Sequence, residues 1–126
     1  MRAILDTSVL LATDVPELEG ELAISAASLA ELHFGVLVTA DAAIRAERLR
    51  RLSDLQRKFD ALPVDDEVAV SYGQLAAAVA GTGRQPRSRV MDLLIAATAH
   101  AHGARLYTLN AADLVGIEHL IDIVAV

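Results

Sequence analysis

The sequence predicts an α/β fold with three layers, in which helices cover both faces of a short, mostly parallel central sheet. Short apolar segments of strand length alternate along the chain with longer segments whose apolar residues recur at helical spacing. Strands that alternate with helices pair in parallel through crossover connections. The chain has 126 residues, of which 54% are hydrophobic, so we expect a single domain over residues 1–126 with one core.

The first half of the chain contains three predicted strands and three predicted helices. They are a strand at 2–5, a short helix capped by Thr7 or Ser8, a strand at 22–25, a helix from Ser25 or Ser28 to about Val38, a helix at 42–59 capped by Asp41, and a strand or extended link at 61–64. Pro63 lacks a backbone donor and restricts the third strand to an edge or an end of the sheet.

Two of these helices are predicted to bury one apolar face. The residues expected to face the core are Leu29, Leu32, Val36 and Leu37 in the first, and Ile44, Leu49, Leu52, Leu55 and Phe59 in the second.

The second half of the chain continues the alternation. The predicted elements are a helix at 67–80 capped by Asp65 or Asp66, a loop at 81–88, a helix from Ser88 or Arg89 to His102, a strand at 104–109, a turn at 110–117 and a strand at 120–126. Because ligands of parallel α/β sheets bind beyond the carboxyl ends of the strands, a site is expected after the strands at 2–5 and 104–109.

Composition and charge exclude several kinds of protein. The absence of cysteine excludes disulfides and thiolate metal sites, and no signal peptide or membrane-spanning run is visible, so a cytoplasmic protein without membrane contact is expected. The net charge of −6 argues against a general nucleic-acid coat. The basic residues nevertheless cluster at 45–58 and 84–89, where they could meet phosphate locally.

Three carboxylates stand in apolar surroundings. Asp6 ends an apolar strand, Glu31 lies within "SLAELHFG", and Asp92 begins the apolar run "DLLIAATA". Each has an ordinary structural interpretation: a helix cap for Asp6, a half-exposed helix position for Glu31, and a first-turn acid favoured by the helix dipole for Asp92. Their common setting favours a shared site over three separate explanations.

Carboxylates gathered in one pocket repel each other. Two unit charges ~4 Å apart cost about 4 kcal/mol at an effective dielectric near 20. Protonation or a bound cation removes this cost. Oxygen ligands without cysteine favour Mg²⁺ or Mn²⁺, and a carboxylate-bound cation of this kind is typical of phosphoryl chemistry.

These motifs resemble the PIN-domain family over almost the whole chain, and its VapC-type toxins in particular. The resemblance is carried by "ILDTSVLL", "SLAELHFG" and "DLLIAATAHAHGARLYTLNAADL". It implies a metal-dependent endoribonuclease whose catalytic and metal-binding acids are Asp6, Glu31, Asp92 and Asp113. Many members have an aspartate where this chain has Asn110, and a variant with the pattern NxxD also occurs in the family. Either Asp113 supplies the fourth carboxylate, with Asn110 as a neutral ligand or a positioning amide, or Asn110 itself completes the metal site. Thr7 and Thr108 are expected to support the acids.

The resemblance also implies partners. An antitoxin protein would bind near the site, the toxin would form a homodimer, and RNA would be the substrate. Because phosphates prefer arginine, Arg87 and Arg89, just before Asp92, are the first candidates for RNA contacts. The arginines at 45–58 come second, and the alternative for them is a solvated helix face paired with Glu47 and Asp54.

Two other functions remain open on the sequence alone. A phosphotransfer domain of the same fold class would need a second aspartate where Ser8 stands, or a lysine after a late strand, and the only lysine is Lys58. A catalytically weak or inactive interaction module would keep the acids for binding a partner, and Asn110 leaves room for that alternative.

Overall fold

Five parallel strands form the centre of the protein. The computed structural model describes residues 1–126, with β1 at Arg2–Leu5, β2 at Glu21–Ser25, β3 at Asp60–Leu62, β4 at Arg105–Thr108 and β5 at Ile123–Ala125. The strand order across the sheet is β3-β2-β1-β4-β5, and every neighbouring pair is parallel. The predicted α/β fold is therefore confirmed, and Pro63 lies just beyond the edge strand β3 as expected.

Five helices connect the strands. They are α1 at Thr7–Leu11, α2 at Ala26–Leu37, α3 at Ala42–Lys58, α4 at Asp66–Gly81 and α5 at Val90–Ala101. Polar side chains begin three of them as predicted, because Ser25, Asp41 and Asp65 each accept a hydrogen bond from a backbone N–H in the first turn of α2, α3 and α4. Short 3₁₀ turns at Pro86–Arg89 and Ala111–Leu114 precede α5 and follow β4.

The core has a layer on each face of the sheet. Successive residues of β1 point to opposite faces, so Ile4 packs with residues of α4 and α5, while Ala3 and Leu5 pack with Val9 and Leu10 of α1. Helix α5 is buried along most of its length, from Leu93 to Ala99. This helix covers the middle of the sheet and brings its first turn to the carboxyl ends of β1 and β4.

Three sequence predictions about the first helices are wrong. Asp6, rather than Thr7 or Ser8, caps α1 through its side chain. Leu37 is 75% exposed, and Ile44 and Leu49 are 47% and 51% exposed, although their spacing predicted a buried face. Helices α2 and α3 pack on each other, and α3 otherwise contacts the edge strand β3. Fewer apolar side chains of these helices are therefore buried than their spacing predicts.

The C-terminal strand is also shorter than predicted, because residues 120–122 form a turn before β5 begins. None of the helices combines the length and the apolar character needed to cross a membrane.

Candidate active site

The carboxyl ends of β1 and β4 are joined through Ser8. Asp6 follows β1 directly, and its backbone N–H donates to Tyr107 O of β4 at 3.1 Å. The Ser8 hydroxyl donates to Asp6 Oδ1 and accepts from the Leu109 N–H at 3.0 Å. Asp6 Oδ1 also accepts from the Val9 N–H at 3.3 Å. The capping interpretation of Asp6 is correct, and its position at the sheet edge is the one expected for a site residue.

Glu31 is held from the other side by Thr7. It lies in the second turn of α2, half-buried, and its Oε1 accepts from the Thr7 hydroxyl at 2.6 Å. The same Thr7 oxygen lies 3.1 Å from Ser28 Oγ. A threonine directly after Asp6 thus orients a carboxylate on α2.

Asp92 lies in the first turn of α5, and its environment opposes its negative charge. Burial raises the pKa of this carboxyl, and the charges of Glu31, Asp113 and Asp6 raise it further, in that order. The guanidinium of Arg89 acts in the opposite direction. Glu31, Asp113 and Asp6 therefore lie near enough to act on the charge of Asp92, although the four carboxylates come from four different segments of the chain.

Asp113 and Asn110 lie in the segment after β4. The 3₁₀ turn at Ala111–Leu114 carries Asp113, whose Oδ1 is 3.1 Å from the Nη1 of Arg89. The buried hydroxyl of Thr108 accepts from the Asn110 N–H at 2.9 Å and fixes the start of this turn. Asp6, Asp92, Asn110 and Asp113 line one small pocket together with Leu106 and Leu114.

The oxygen atoms that line this pocket are the kind of ligand that hard divalent cations prefer. They are carboxylate and amide oxygens, and the repulsion that raises the pKa of Asp92 is what such a cation would relieve. As the side chains stand, no three His, Cys, Asp or Glu groups are close enough together to hold a metal ion. Binding would therefore require some rearrangement of these side chains, and the Arg89 guanidinium, 3.1 Å from Asp113 Oδ1, occupies one of the candidate ligands in the structure.

Known proteins with similar sequences place the chain in a family. The PIN domain family matches residues 3–113. The chain belongs to the PIN domain family. It is 38% identical to Ribonuclease VapC5 of Mycobacterium tuberculosis over 111 residues, which cover 83% of this chain and 80% of that protein. It is 35% identical to Ribonuclease VapC8 of the same species over 100 residues, which cover 76% of this chain and 88% of that protein.

A solved structure of the same group has the same fold. The crystal structure of VapBC-5, a member of the VapBC family of toxin–antitoxin systems from Mycobacterium tuberculosis, matches with a TM-score of 0.82 and 32% identity. The match covers 99% of this chain and 97% of that one. The resemblance of the sequence motifs to VapC-type PIN domains is confirmed.

The arginines of this PIN domain differ in the groups that they contact. Arg89, one of the two predicted phosphate contacts, reaches the acids: besides Asp113 it lies 4.0 Å from Asp92 Oδ2. Arg87 lies on the same 3₁₀ turn but is exposed and does not line the acidic pocket. On α3, Arg48 and Arg51 donate to backbone carbonyls of Gly35 and Leu10, so they hold the protein's own structure.

Sequence reasoning missed the hydroxyl network beneath the PIN-domain acids. From the sequence, Ser8 was interpreted as a helix cap and as the residue that replaces a second aspartate, and its spacing two residues after Asp6 was the one available signal for its contact with that carboxylate. Ser25 Oγ and Thr98 Oγ1 lie 2.9 Å apart and are fully buried between β2 and α5. No sequence pattern pairs two residues so far apart in the chain.

Proposed function

We propose that this PIN domain is the toxin ribonuclease of a toxin–antitoxin pair and that it hydrolyses RNA phosphodiester bonds with Mg²⁺ or Mn²⁺. The observation that carries the proposal is the meeting of Asp6, Asp92 and Asp113 at one pocket, with Glu31 beside them, in a chain 38% identical to Ribonuclease VapC5. The arrangement of oxygen donors at the carboxyl ends of parallel strands suits a phosphodiester substrate.

The chain's own residues would prepare the site in distinct ways. Ser8 and Thr7 orient the carboxylates of Asp6 and Glu31, and the Asn110 amide can donate to a phosphate oxygen as well as accept from water. Asp6, Glu31, Asp92 and Asp113 are the proposed cation ligands. A divalent cation bound among them supplies positive charge against the phosphate and lowers the pKa of water.

We propose an antitoxin and a second copy of the chain as protein partners. The structural relative is a VapBC toxin–antitoxin system. The apolar residues that the core does not use support further contacts, since Phe34, Leu37 and Val38 at the end of α2 are all more than half exposed. With RNA as its substrate, we propose that the protein acts in the cytoplasm.

The decisive experiment measures cleavage of RNA by the purified chain with and without Mg²⁺ or Mn²⁺. We expect Asp6→Asn and Asp92→Asn each to reduce cleavage at least about 100-fold, because each removes a charge from the cation site. Asp54→Asn, on the exposed face of α3, is the matched control and should cleave like the unaltered chain. Full activity of either site variant in a folded protein would refute the assignment.

A thermal titration separates the enzyme from an inactive interaction module. Mn²⁺ should raise the melting temperature of the unaltered chain, because a ligand that binds only the folded state stabilises it. Asp92→Asn should lose most of this shift. A melting temperature that Mn²⁺ leaves unchanged would favour the module that keeps its acids only for a partner.

A further inference from the structure

A second cleft adjoins the acidic pocket and has the opposite charge. It encloses about 200 Å³ between the end of α4, the loop before α5 and the turn after β4. Its polar lining consists of Arg84, Gln85, Ser88, Arg89 and Asp113, over a floor with three apolar side chains. Asp113 lines both this cleft and the acidic pocket, so the two spaces share a wall.

Arg84 is the free cation of this cleft. None of the protein's ion pairs involves it, whereas Arg57 and Arg105 are paired with Asp54 and Asp122. Its position is set by the turn after α4, where Gly83 has a φ of +83° that other residues rarely adopt. An unpaired guanidinium in a cleft is well suited to bind an anion in bidentate fashion.

Arg89 makes the cleft acceptable to an anion. Without it, the carboxylate of Asp113 would face into the cleft and repel a phosphate. The Arg89 guanidinium lies 3.1 Å from Asp113 Oδ1 and offsets this charge. The net lining is therefore two guanidiniums against one carboxylate, with the Gln85 amide and the Ser88 hydroxyl as neutral hydrogen-bonding groups.

We propose that this cleft binds the RNA backbone phosphate next to the one being cut, with Arg84 as its principal contact. The inference rests on the proposed function, in which the scissile phosphate lies at the acidic pocket. Because Asp113 lines both spaces, the cleft adjoins that pocket directly, and we therefore assign it to the neighbouring phosphate. Phosphate contacts position a nucleic acid without reading its sequence, so the cleft sets the register of the substrate on the enzyme.

The first test compares two arginines from the same loop. Arg84→Gln and Arg87→Gln remove the same charge, but only Arg84 lines the cleft. We would measure binding of a fluorescein-labelled single-stranded RNA with Mg²⁺ present, in the Asp6→Asn background so that the RNA stays intact. Arg84→Gln should weaken binding about tenfold and reduce the slope of log Kd against log salt by about 0.7. Although the sequence made Arg87 a candidate for RNA contacts, it lines neither the cleft nor the acidic pocket, so Arg87→Gln should change both the binding and the slope much less.

The second test locates the contact on the RNA. A neutral methylphosphonate replaces one phosphate at a time around the cleavage site of a substrate that the unaltered chain cuts. For the unaltered chain, the replacement next to the scissile position should raise KM about tenfold. Arg84→Gln should be insensitive to that single replacement and still respond to the others, because the contact is already lost.

Equal effects of Arg84→Gln and Arg87→Gln would overturn the inference, since they would indicate only general attraction between the loop and RNA. Unchanged RNA binding by Arg84→Gln, combined with weaker binding of a purified antitoxin, would instead assign the cleft to the protein partner. These failures differ from failure of the proposed function. In that case the unaltered chain cleaves no RNA, while the difference between Arg84 and Arg87 in RNA binding can still be measured.

Discussion

The two halves of the candidate site are built differently. In the β1–α2 half, which contributes Asp6 and Glu31, each carboxylate accepts a hydrogen bond from a neighbouring hydroxyl, of Ser8 or Thr7. In the β4–α5 half, which contributes Asp92 and Asp113, Arg89 is the side chain that approaches both carboxylates, and both are more than a third exposed. In the first half, neutral hydroxyl groups hold the carboxylates in place, whereas in the second half one guanidinium offsets the charge of both carboxylates.

This difference indicates how the site can bind a cation or a substrate. Hydroxyls hold a carboxylate in one orientation without competing for its charge, so the β1–α2 half is preorganised. An arginine does compete, because its guanidinium satisfies the oxygens that a metal ion would use. The rearrangement that cation binding requires is therefore expected mainly in the β4–α5 half.

The largest effect predicted by this comparison is at Ser8. Ser8→Ala removes the hydroxyl that orients Asp6 and leaves the Leu109 N–H without its partner, so both halves lose their common support. Loss of such an outer contact at a metal site costs about 10–100-fold, and we expect at least a tenfold fall in kcat for RNA cleavage. Steady-state kinetics with saturating Mn²⁺ would measure it.

Matched variants separate positioning from folding in this experiment. Ser8→Thr keeps a hydroxyl and should restore most of the activity, while Ser53→Ala on α3 should lower neither kcat nor the melting temperature. A Ser8→Ala protein that keeps full kcat would show that Asp6 needs no such support. A loss of activity that follows a lowered melting temperature would assign Ser8 to stability alone.

The same comparison explains what the sequence could and could not predict. Local patterns of charge and hydrophobicity are enough to predict where the strands lie and to identify the helix caps Asp41 and Asp65. The same patterns single out the acids Asp6, Glu31 and Asp92. Contacts such as those of Ser8 with Leu109, or of Arg89 with Asp113, join segments far apart in the chain and depend on packing. Periodicity also could not tell a core face from an outer one, which is why Ile44 and Leu49 were misplaced.

A smaller effect is expected at Arg89, the cation of the β4–α5 half. Arg89→Gln frees Asp113 and removes a positive charge from the pocket, so Mn²⁺ should bind about threefold more tightly, as expected for the loss of a half-exposed ion pair. The concentration of Mn²⁺ that produces half of the thermal shift would measure this change. Arg105→Gln, which breaks the ion pair with Asp122 away from the pocket, is the control. Weaker Mn²⁺ binding by Arg89→Gln would contradict a competing role.

The smallest predicted effect is on stability, and it depends on pH through Asp92. Its pKa is raised in the folded protein by burial and by Glu31, Asp113 and Asp6. The folded state therefore holds this proton more tightly than the unfolded state, and stability falls as the pH rises from the ordinary titration range of an aspartate through the raised pKa. Asp92→Asn should remove that loss and raise the melting temperature at pH 7, without divalent cations, by about 2–4 °C.

The first turn of α4 supplies a control of opposite sign. Asp66 also lies in the first turn of a helix, but it is exposed and does not line the acidic pocket. The helix dipole therefore favours its negative charge. Asp66→Asn should lower the melting temperature slightly at pH 7. The gain from Asp92→Asn should vanish at a pH low enough to protonate Asp92 in both the folded and the unfolded state. If Asp92→Asn also lowered the melting temperature at pH 7, the helix dipole would outweigh the crowding of the acids. The β4–α5 half would then be as well compensated without a cation as the β1–α2 half.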